Sequence, residues 1–211
     1  MGLFIVLEGV EGSGKTTQAR LLGERLARAG IDHLVTREPG GTATGEEIRR
    51  LLLHGGEVPA RAELLLMLAA RAVFVEEVVR PALARGAVVV ADRYELSTLA
   101  YQGYGRGLPL DEVRRMNAFA TGGLTADLTL VLDVPPEVGA ARRAREGRNA
   151  DRIEQAGEEF HARVAGAYRL LAETEPGVVR IDGSGSAEAV HAEIVDLLRS
   201  RFPETLKFGG G

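Results

Sequence analysis

The sequence predicts an α/β protein in which a five-stranded parallel sheet is flanked by helices. Three observations lead to this prediction. Short apolar segments alternate along the chain with longer segments of helical periodicity, which is the pattern of a parallel sheet covered on both faces. Two of the short segments, residues 2–7 and 87–91, are apolar throughout, as strands buried on both faces are. A glycine-rich motif also joins the first strand to the first helix.

Each predicted strand is a short run rich in apolar residues and is followed by proline or a charged residue. The third strand, for example, is followed by Asp92-Arg93, and the fourth is followed by Pro135-Pro136. Runs of this length with such boundaries are typical of buried strands. Because ligands bind beyond the carboxyl ends of the strands in such sheets, residues at those ends are the first functional candidates. In chain order the strands are predicted at residues 2–7, 31–36, 87–91, 128–134 and 178–181.

The helices are predicted from apolar residues at helical spacing and from their boundary residues. Gly30 favours the end of the first helix, and Pro135-Pro136 favours the start of a later one. The stretch 64–79 is apolar on nearly all sides, so we expect it to be buried in the core or against a second subunit. Pro81 predicts a kink or break, a glycine-rich loop is expected before residue 108, and residues 142–152 form a charged, hinge-like segment. In chain order the helices are predicted at residues 16–29, 46–53, 59–84, 108–120, from 136, at 153–174 and at 188–202.

The composition limits the class of protein. A chain of 211 residues without a repeat or linker is expected to form one domain, at residues 1–208, with 209–211 as a flexible tail. The 30 acidic and 26 basic residues give a net charge of −4, which argues against nucleic-acid and membrane partners. The absence of cysteine excludes disulfides and thiolate sites. We find no signal peptide and no apolar run of the roughly 18 residues that span a membrane, so we expect a cytoplasmic protein.

The strongest motif occupies residues 9–16. The segment G-V-E-G-S-G-K-T fits G-x-x-x-x-G-K-[ST] between a predicted strand and a predicted helix. Its glycines allow backbone N–H groups to surround phosphates, Lys15 adds charge at the β and γ phosphates, and the Thr16 hydroxyl can hold Mg²⁺. An ordinary glycine turn is the alternative, but it does not explain a lysine in a chain whose only other lysine is Lys207. The residues predicted to bind ATP are Gly9, Val10, Glu11, Gly12, Ser13, Gly14, Lys15, Thr16 and Thr17.

Other motifs narrow the kind of nucleotide-binding protein. The chain has no Asn-Lys-x-Asp element for guanine and no Leu-Ser-Gly-Gly-Gln signature of transporter ATPases. Arginines at several loop positions instead indicate a kinase that acts on a phosphorylated acceptor.

Charged residues at strand ends and inside an apolar helix are the remaining candidates. Asp92 can hold Mg²⁺ directly or through water, with Asp133 as the competing carboxylate. Arg93 can bind a phosphate in a bidentate manner, or it forms a salt bridge at the strand end. Arg71 interrupts an apolar helix, so it must face a ligand or a carboxylate, for which Glu38 and Glu63 are the candidates.

A family resemblance follows from the order and spacing of several motifs. Besides the phosphate loop they are Thr36-Arg-Glu-Pro-Gly-Gly41, Ala69-Ala-Arg71, Asp92-Arg-Tyr94, Ser97-Thr-Leu-Ala-Tyr-Gln-Gly103, Asp127-Leu-Thr129 and Asp151-Arg-Ile-Glu154. Over nearly its whole length the chain resembles the thymidylate kinases (dTMP kinases). It departs from them at Ala126, where proline is common, and at Met67, where a phenylalanine usually stacks on thymine; methionine can still contact an aromatic ring.

The resemblance implies transfer of a phosphoryl group from MgATP to dTMP, for dTTP synthesis. It favours Asp92 over Asp133 as the metal carboxylate. It implies that Glu11 binds the sugar 3′-hydroxyl, that Arg71 binds the thymine edge, and that Tyr101 packs on the deoxyribose. Arg93 and Arg49 would bind the acceptor phosphate, although an exposed helix charge is the alternative for Arg49. The residues assigned to dTMP are Glu11, Glu38, Arg49, Met67, Arg71, Arg93, Thr98, Tyr101 and Gln102.

The arginines of residues 142–152 match the flexible lid of one branch of this family. A charge run is usually a solvated surface, but in that branch the lid supplies an arginine to the transition state. The run comprises Arg142, Arg143, Arg145, Arg148 and Arg152. The catalytic candidates are therefore Lys15, Arg93, Arg148 and Arg152. The family also forms homodimers through long helices, so the resemblance implies a homodimer.

Two alternatives remain open on the sequence alone. One is another nucleoside-monophosphate kinase on the same scaffold. The other is a nucleotide-dependent switch without catalysis, which would not need the acceptor-side residues Arg49, Arg71, Arg93 and Tyr101.

Overall fold

The apolar runs pair into one parallel sheet, which confirms the predicted fold class. A computed structural model describes residues 2–146 and 151–208 of the chain. In this part of the chain the sheet has five strands in the order β2-β3-β1-β4-β5, and every neighbouring pair is parallel. The strands are β1 (Leu3–Glu8), β2 (His33–Arg37), β3 (Val88–Asp92), β4 (Leu128–Asp133) and β5 (Val178–Asp182).

Helices connect successive strands and cover the sheet. Two stretches, Val75–Val79 and Leu99–Gly105, have the wider π-helical hydrogen bonding. The α-helices of the described residues are α1 (Lys15–Arg28), α2 (Ala43–His54), α3 (Ala60–Phe74), α4 (Arg80–Ala84), α5 (Glu95–Thr98), α6 (Leu110–Thr121), α7 (Pro136–Glu146), α8 (Glu158–Thr174) and α9 (Ala187–Arg201).

Residues of β1 alternate between two layers of core, because side chains of a strand point to opposite faces. Ile5 belongs to the cluster that contains Leu22 of α1 and Ile194 of α9. Val6 belongs to the opposite cluster, with Phe74 of α3. All five side chains are at most 1% exposed, so the central strand is covered on both faces.

The glycine-rich segment before residue 108 is helical as far as Gly105, so the predicted loop is confined to residues 106–109. Residues 95–98 form α5 and residues 99–105 continue it as a π-helix. A Cβ on Gly105 would lie 2.6 Å from the Phe160 ring, and one on Gly103 would lie 2.6 Å from Leu110. These glycines therefore permit close packing of helices, which outweighs the low helix propensity that suggested a loop.

The region around residues 142–157 also differs from the prediction. Helix α7 continues to Glu146, so the first part of the expected hinge is helical. Residues 147–150, including Arg148, and the tail 209–211 lie outside the described residues. Helix α8 begins at Glu158 instead of residue 153, because the Asp151 carboxylate accepts hydrogen bonds from the backbone N–H groups of Ile153 and Glu154 and holds a turn there.

Pro81 does not end the helical path, which runs on to Ala84. The expected disturbance takes the form of the π-helical turn at Val75–Val79, just before the proline. Such a turn relieves the clash of a proline ring with the preceding turn of helix. Within residues 2–146 and 151–208, none of the helices has the length and apolar character needed to cross a membrane.

Candidate active site

A cavity of about 480 Å³ opens at the carboxyl ends of β1, β2 and β3. The register of the sheet places Arg37 and Leu7 beside Asp92 at this edge, so the residues that follow these strands meet there. The lining residues are Glu11, Gly12, Gly14, Lys15, Thr16, Thr17, Arg37, Glu38, Pro39, Arg49, Leu53, Met67, Arg71, Asp92, Arg93, Ser97, Thr98, Tyr101, Gln102, Asp151, Ile153 and Glu154.

The phosphate loop presents Lys15 from the first turn of α1. The Lys15 ammonium donates hydrogen bonds to the backbone oxygens of Gly9 (3.0 Å) and Val10 (2.8 Å) and lies 3.4 Å from the Ser13 hydroxyl. Burial and the nearby charge of Arg93 lower the pKa of Lys15 to about 8. The ammonium is thus held against the loop, where added negative charge would stabilise its protonated form.

Thr16 and Asp92 form a pair of oxygen ligands beside this loop. The Thr16 hydroxyl donates a hydrogen bond of 2.6 Å to the Asp92 carboxylate. A hydroxyl and a carboxylate are the kind of oxygen ligands that Mg²⁺ takes when nucleotide phosphates and water supply the rest. Within residues 2–146 and 151–208 no group of three or more histidine, cysteine, aspartate or glutamate side chains could hold a metal by itself. The residues therefore fit a magnesium ion that arrives with a nucleotide.

Asp133, the competing carboxylate, is engaged elsewhere. Its oxygens lie 3.0 Å and 3.2 Å from Arg169 Nε and 3.6 Å from Arg180 Nη1. It is also absent from the described lining of the cavity. These contacts favour Asp92 over Asp133 as a metal ligand.

Arg93 has a strained backbone that turns its side chain into the cavity. It has a φ of 78°, and no other non-glycine residue in the described part of the chain has a positive φ; such strain costs about 1–3 kcal/mol. The guanidinium donates to the backbone oxygen of Gly9 and to the hydroxyls of Ser97 and Tyr168, each at 3.1 Å. Many contacts thus hold one cation at the strand end.

The other end of the Arg93 guanidinium contacts Glu11. Arg93 Nη2 donates to the Glu11 carboxylate (2.9 Å), which also accepts a hydrogen bond from the Tyr101 hydroxyl (2.7 Å). Burial raises the pKa of Glu11, but the charges of Arg93 and Lys15 and the Tyr101 hydrogen bond outweigh it, so this pKa lies below its usual value. Glu11 is therefore ionised inside the phosphate loop and is not a solvent-exposed loop tip.

Arg71 forms the buried ion pair that the sequence suggested, and its partner is Glu38. Two guanidinium nitrogens lie 2.8 Å and 2.7 Å from Glu38 Oε2. Further hydrogen bonds go to the Thr98 hydroxyl (2.7 Å), the Asn117 side chain (2.5 Å) and the backbone oxygen of Tyr94 (2.8 Å). The guanidinium thus makes four hydrogen bonds besides the second contact with Glu38, while the residue still lines the cavity.

Glu38 has one oxygen available beside this pair. Its Oε1 atom is buried and has no hydrogen-bond partner among the described residues. Burial raises the pKa of Glu38 to about 7, although Arg71 opposes the rise. An unpaired acceptor in a cavity wall is costly, so Glu38 favours a ligand that brings a donor.

A family model described as thymidylate kinase matches residues 7–194. The chain belongs to the thymidylate kinase family. The thymidylate kinase of a Synechococcus species (strain JA-3-3Ab) is 54% identical over 200 residues, which cover 94% of this chain and 96% of the relative. That of Trichormus variabilis is 47% identical over 209 residues, with 97% and 99% covered. That of an Exiguobacterium species is 46% identical over 206 residues, with 96% and 97% covered.

Most residues predicted from the thymidylate kinase motifs meet in the cavity at the carboxyl ends of β1, β2 and β3. Every residue predicted for the acceptor lines it, and so do Asp92 and the loop residues Glu11, Gly12, Gly14, Lys15, Thr16 and Thr17. Gly9, Val10 and Ser13 lie behind the lining, where their oxygens contact Lys15. Arg152 is also outside the described lining, because Glu63 (2.7 Å) and the backbone oxygen of Leu52 (2.8 Å) hold its guanidinium.

A buried network lies behind Arg93, and the sequence indicated only Glu8 of this network, as a residue at the carboxyl end of a predicted strand. Glu8, which is 0% exposed, accepts hydrogen bonds from the backbone N–H groups of Tyr94 and Ser97 and from the hydroxyls of Ser97 and Tyr168. The available signal was an acidic residue at the end of an apolar strand. Tyr168 had no local signal, since it reaches the site from α8 only through the fold.

Proposed function

We propose that this chain transfers the γ-phosphoryl group of ATP to the 5′-phosphate of dTMP, giving dTDP and ADP for dTTP synthesis. The supporting observation is that one cavity joins the phosphate-loop residues Lys15 and Thr16 to an acceptor-side set that includes Arg93, Arg71 and Tyr101. A protein that only binds ATP needs no such second set. Membership of the thymidylate kinase family supports the choice of acceptor.

The chemistry requires positioning more than a general base. The second pKa of a phosphate monoester is about 6, so the attacking phosphate oxygen is largely ionised at neutral pH. The main cost is to bring two anions into line, and fixed cations reduce it. Lys15 neutralises charge on the donor side, and Arg93 and Arg49 hold the acceptor phosphate. Arg49 is oriented for this by donating to the backbone oxygen of Pro39 at 3.0 Å.

The Thr16 hydroxyl and the Asp92 carboxylate would hold Mg²⁺ with the ATP phosphates. When bound, the ion would neutralise part of the negative charge of the ATP phosphates. Thr16 lies at the start of α1 and Asp92 at the end of β3, and 2.6 Å separates the Thr16 hydroxyl oxygen from a carboxylate oxygen of Asp92. The fold therefore brings these two ligands together.

The remaining acceptor residues form the pocket for the base and sugar. Thr98 and Arg71 are hydrogen-bonded at 2.7 Å and both line the cavity, so they would meet the base together. Tyr101 would pack on the deoxyribose, where it leaves no room for a 2′-hydroxyl. Met67 would contact the base in place of an aromatic ring, and Glu38 would accept a hydrogen bond.

We also propose that residues 142–152 act as the lid over ATP. Arg148 remains a candidate for the transition-state arginine. For Arg152, the contacts with Glu63 and Leu52 support an anchoring role more than direct contact with phosphate. Arg142 donates to the backbone oxygen of Gly183 at 2.9 Å, which ties α7 to the loop after β5.

A homodimer and a cytoplasmic location complete the proposal. Leu65 of α3 is 56% exposed and Phe119 of α6 is 90% exposed. Since α3 and α6 pack against each other, these side chains offer an apolar face to a second copy of the chain. The cytoplasm is proposed because ATP and deoxynucleotides are available there.

An acceptor panel tests the function. Purified protein with MgATP is offered dTMP, dUMP, UMP, AMP and GMP, and the acceptor-dependent formation of ADP is measured. We expect dTMP to be preferred and Lys15→Ala to abolish turnover, whereas Met67→Phe keeps it. Lys207→Ala is the matched control, since it removes the other lysine, which is 74% exposed. A preference for a purine, or ATP binding without acceptor-dependent ADP formation, would contradict the proposal.

A further inference from the structure

Glu63 of α3 is a buried carboxylate that connects several elements around the acceptor pocket. Its side chain is 0% exposed. Oε1 accepts hydrogen bonds from Gln102 Nε2 (2.8 Å) and Arg106 Nε (3.2 Å). Oε2 accepts from Arg106 Nη2 (3.0 Å) and Arg152 Nη2 (2.7 Å). Glu63 itself is behind the wall that Gln102 contributes to the cavity.

These contacts keep Glu63 ionised. Burial raises the pKa of Glu63, but the hydrogen bonds from Arg106, Gln102 and Arg152 outweigh it and leave the pKa below its usual value. An ionised carboxylate has no hydrogen to donate, so every partner must present a donor to it.

This requirement determines how the Gln102 amide is turned. An amide has a donating NH₂ group at one end and an accepting oxygen at the other. With the NH₂ group hydrogen-bonded to Glu63, the Oε1 oxygen is the atom left for a ligand. Turning the amide over would place its oxygen against a carboxylate in a buried site, where neither group has a hydrogen to share. The backbone oxygen of Gln102 accepts from Leu108 N–H at 3.2 Å, so the residue is also held at its main chain.

Building on the function proposed above, we propose that Glu63 is a positioning residue that sets which pyrimidine the kinase accepts. By holding the NH₂ group of Gln102, it makes that side chain present an oxygen to the base. Thymine carries a hydrogen on N3 and can donate to this oxygen. Cytosine has an unprotonated N3, which would face the oxygen with no hydrogen between them.

The test compares dTMP and dCMP in the variant Glu63→Gln. Dissociation constants for both nucleotides are measured by calorimetry in the wild type and the variant. A glutamine at this position can donate as well as accept, so the Gln102 amide is free to turn. We expect the preference for dTMP over dCMP to fall about tenfold, the effect of one buried hydrogen bond.

Two further variants separate an effect on the orientation of the Gln102 amide from a general disturbance of the pocket. Arg106→Gln removes an ion pair of Glu63 but leaves its contact with Gln102, so the preference should remain at the wild-type value. Gln102→Met leaves both ion pairs of Glu63 in place and removes the amide, so the preference should fall as in Glu63→Gln. If Glu63→Gln does not fold, an unchanged preference in this second variant still contradicts the proposal.

Equal weakening of dTMP and dCMP in Glu63→Gln would overturn the proposal and leave Glu63 a purely structural residue. An unchanged preference in Gln102→Met would overturn it as well. Failure of the proposed function is a separate result, since the wild-type protein would then show no dTMP-dependent ADP formation.

Discussion

Lys15 is surrounded by backbone oxygens before any phosphate arrives. Its ammonium is enclosed by the loop, and its pKa of about 8 reflects burial and the neighbouring Arg93. Bound phosphate groups would place negative charge beside the Lys15 ammonium, where burial has removed water. The pKa of Lys15 should therefore rise when a nucleotide binds, because a nearby negative charge favours the protonated form.

We predict proton uptake when ATP binds at pH 8. Near its pKa about half of Lys15 is unprotonated, so binding should take up about half a proton at this residue. At pH 6.5 Lys15 is already protonated and its contribution should vanish. Calorimetric titration in two buffers of different ionisation enthalpy measures the uptake. The control is Lys15→Arg, whose guanidinium does not titrate; equal uptake in both proteins at pH 8 would contradict the assignment.

The hydroxyl of Tyr168 links Arg93 to the buried carboxylate of Glu8. It accepts from Arg93 at 3.1 Å and donates to Glu8 at 2.8 Å. An arginine has several rotatable bonds, so a phosphate-binding geometry must be held by such contacts.

We expect Tyr168→Phe to lower kcat for dTMP about tenfold, with a loss of stability of about 1 kcal/mol from one hydrogen bond. The KM for ATP should change little, because the phosphate loop is untouched. Steady-state kinetics and thermal unfolding check both statements. Tyr104→Phe, which removes a hydroxyl from the stretch Leu99–Gly105 outside this network, is the control. An unchanged kcat in Tyr168→Phe would show that Arg93 does not depend on the network.

At the scale of elements, the phosphate loop depends on its packing against α7. A Cβ on Gly12 would lie 2.3 Å from the backbone oxygen of Gly139, and Gly12 has a φ of +75°. The glycine is therefore needed for two reasons, the left-handed backbone and the close approach of a helix.

A pair of alanine variants separates these two reasons. Gly177 has the same φ of +75°, but a Cβ on this residue would have no neighbouring atom within 4 Å. Gly177→Ala should cost about 1–2 kcal/mol from backbone strain alone. Gly12→Ala should cost about 1–3 kcal/mol more, from overlap with α7, and should also weaken ATP binding. Denaturant unfolding and ATP titration measure these effects; equal stability losses would show that α7 gives way.

The elements that the sequence predicted correctly are those with strong local signals. The β1 strand, the loop and α1 follow from an apolar run, glycines and helical periodicity. The segment 95–105 was misjudged because its glycines were interpreted by propensity, whereas they allow contact with Phe160 and Leu110. The start of α8 was placed too early because the capping role of the Asp151 carboxylate is a matter of side-chain geometry.

At the scale of the whole molecule, one apolar surface has no cover within the described chain. Leu65, Ala69 and Val73 of α3 lie at helical spacing on one side, with Leu65 and Ala69 exposed and Val73 partly so. Phe119 of the neighbouring α6 is 90% exposed. Water contact at such a surface is unfavourable, and burying it against a second copy would remove that cost.

We expect Phe119→Glu to convert the proposed dimer to a monomer. The added charge would have to be buried in an apolar contact, which is strongly unfavourable. Sedimentation velocity at micromolar concentration measures the change. Leu170→Glu is the control, because Leu170 is 42% exposed on α8. A monomeric wild-type protein at this concentration would contradict the dimer.

The sequence by itself determined the α/β class, the phosphate loop and the family. These depend on periodicity along the chain and on motifs whose residues are close in sequence, so local chemistry is sufficient to identify them. The same reasoning identified Arg71 as a residue in need of a partner, because an arginine in an apolar helix must be neutralised.

Only the tertiary structure decided which partners these residues have. It paired Arg71 with Glu38, engaged Asp133 with Arg169, and joined Glu63 to Gln102 and Arg152. These contacts link residues that are 33 to 89 positions apart. A sequence shows that a buried charge requires a partner, but the choice among several candidates depends on distances that only the packing of helices on the sheet establishes.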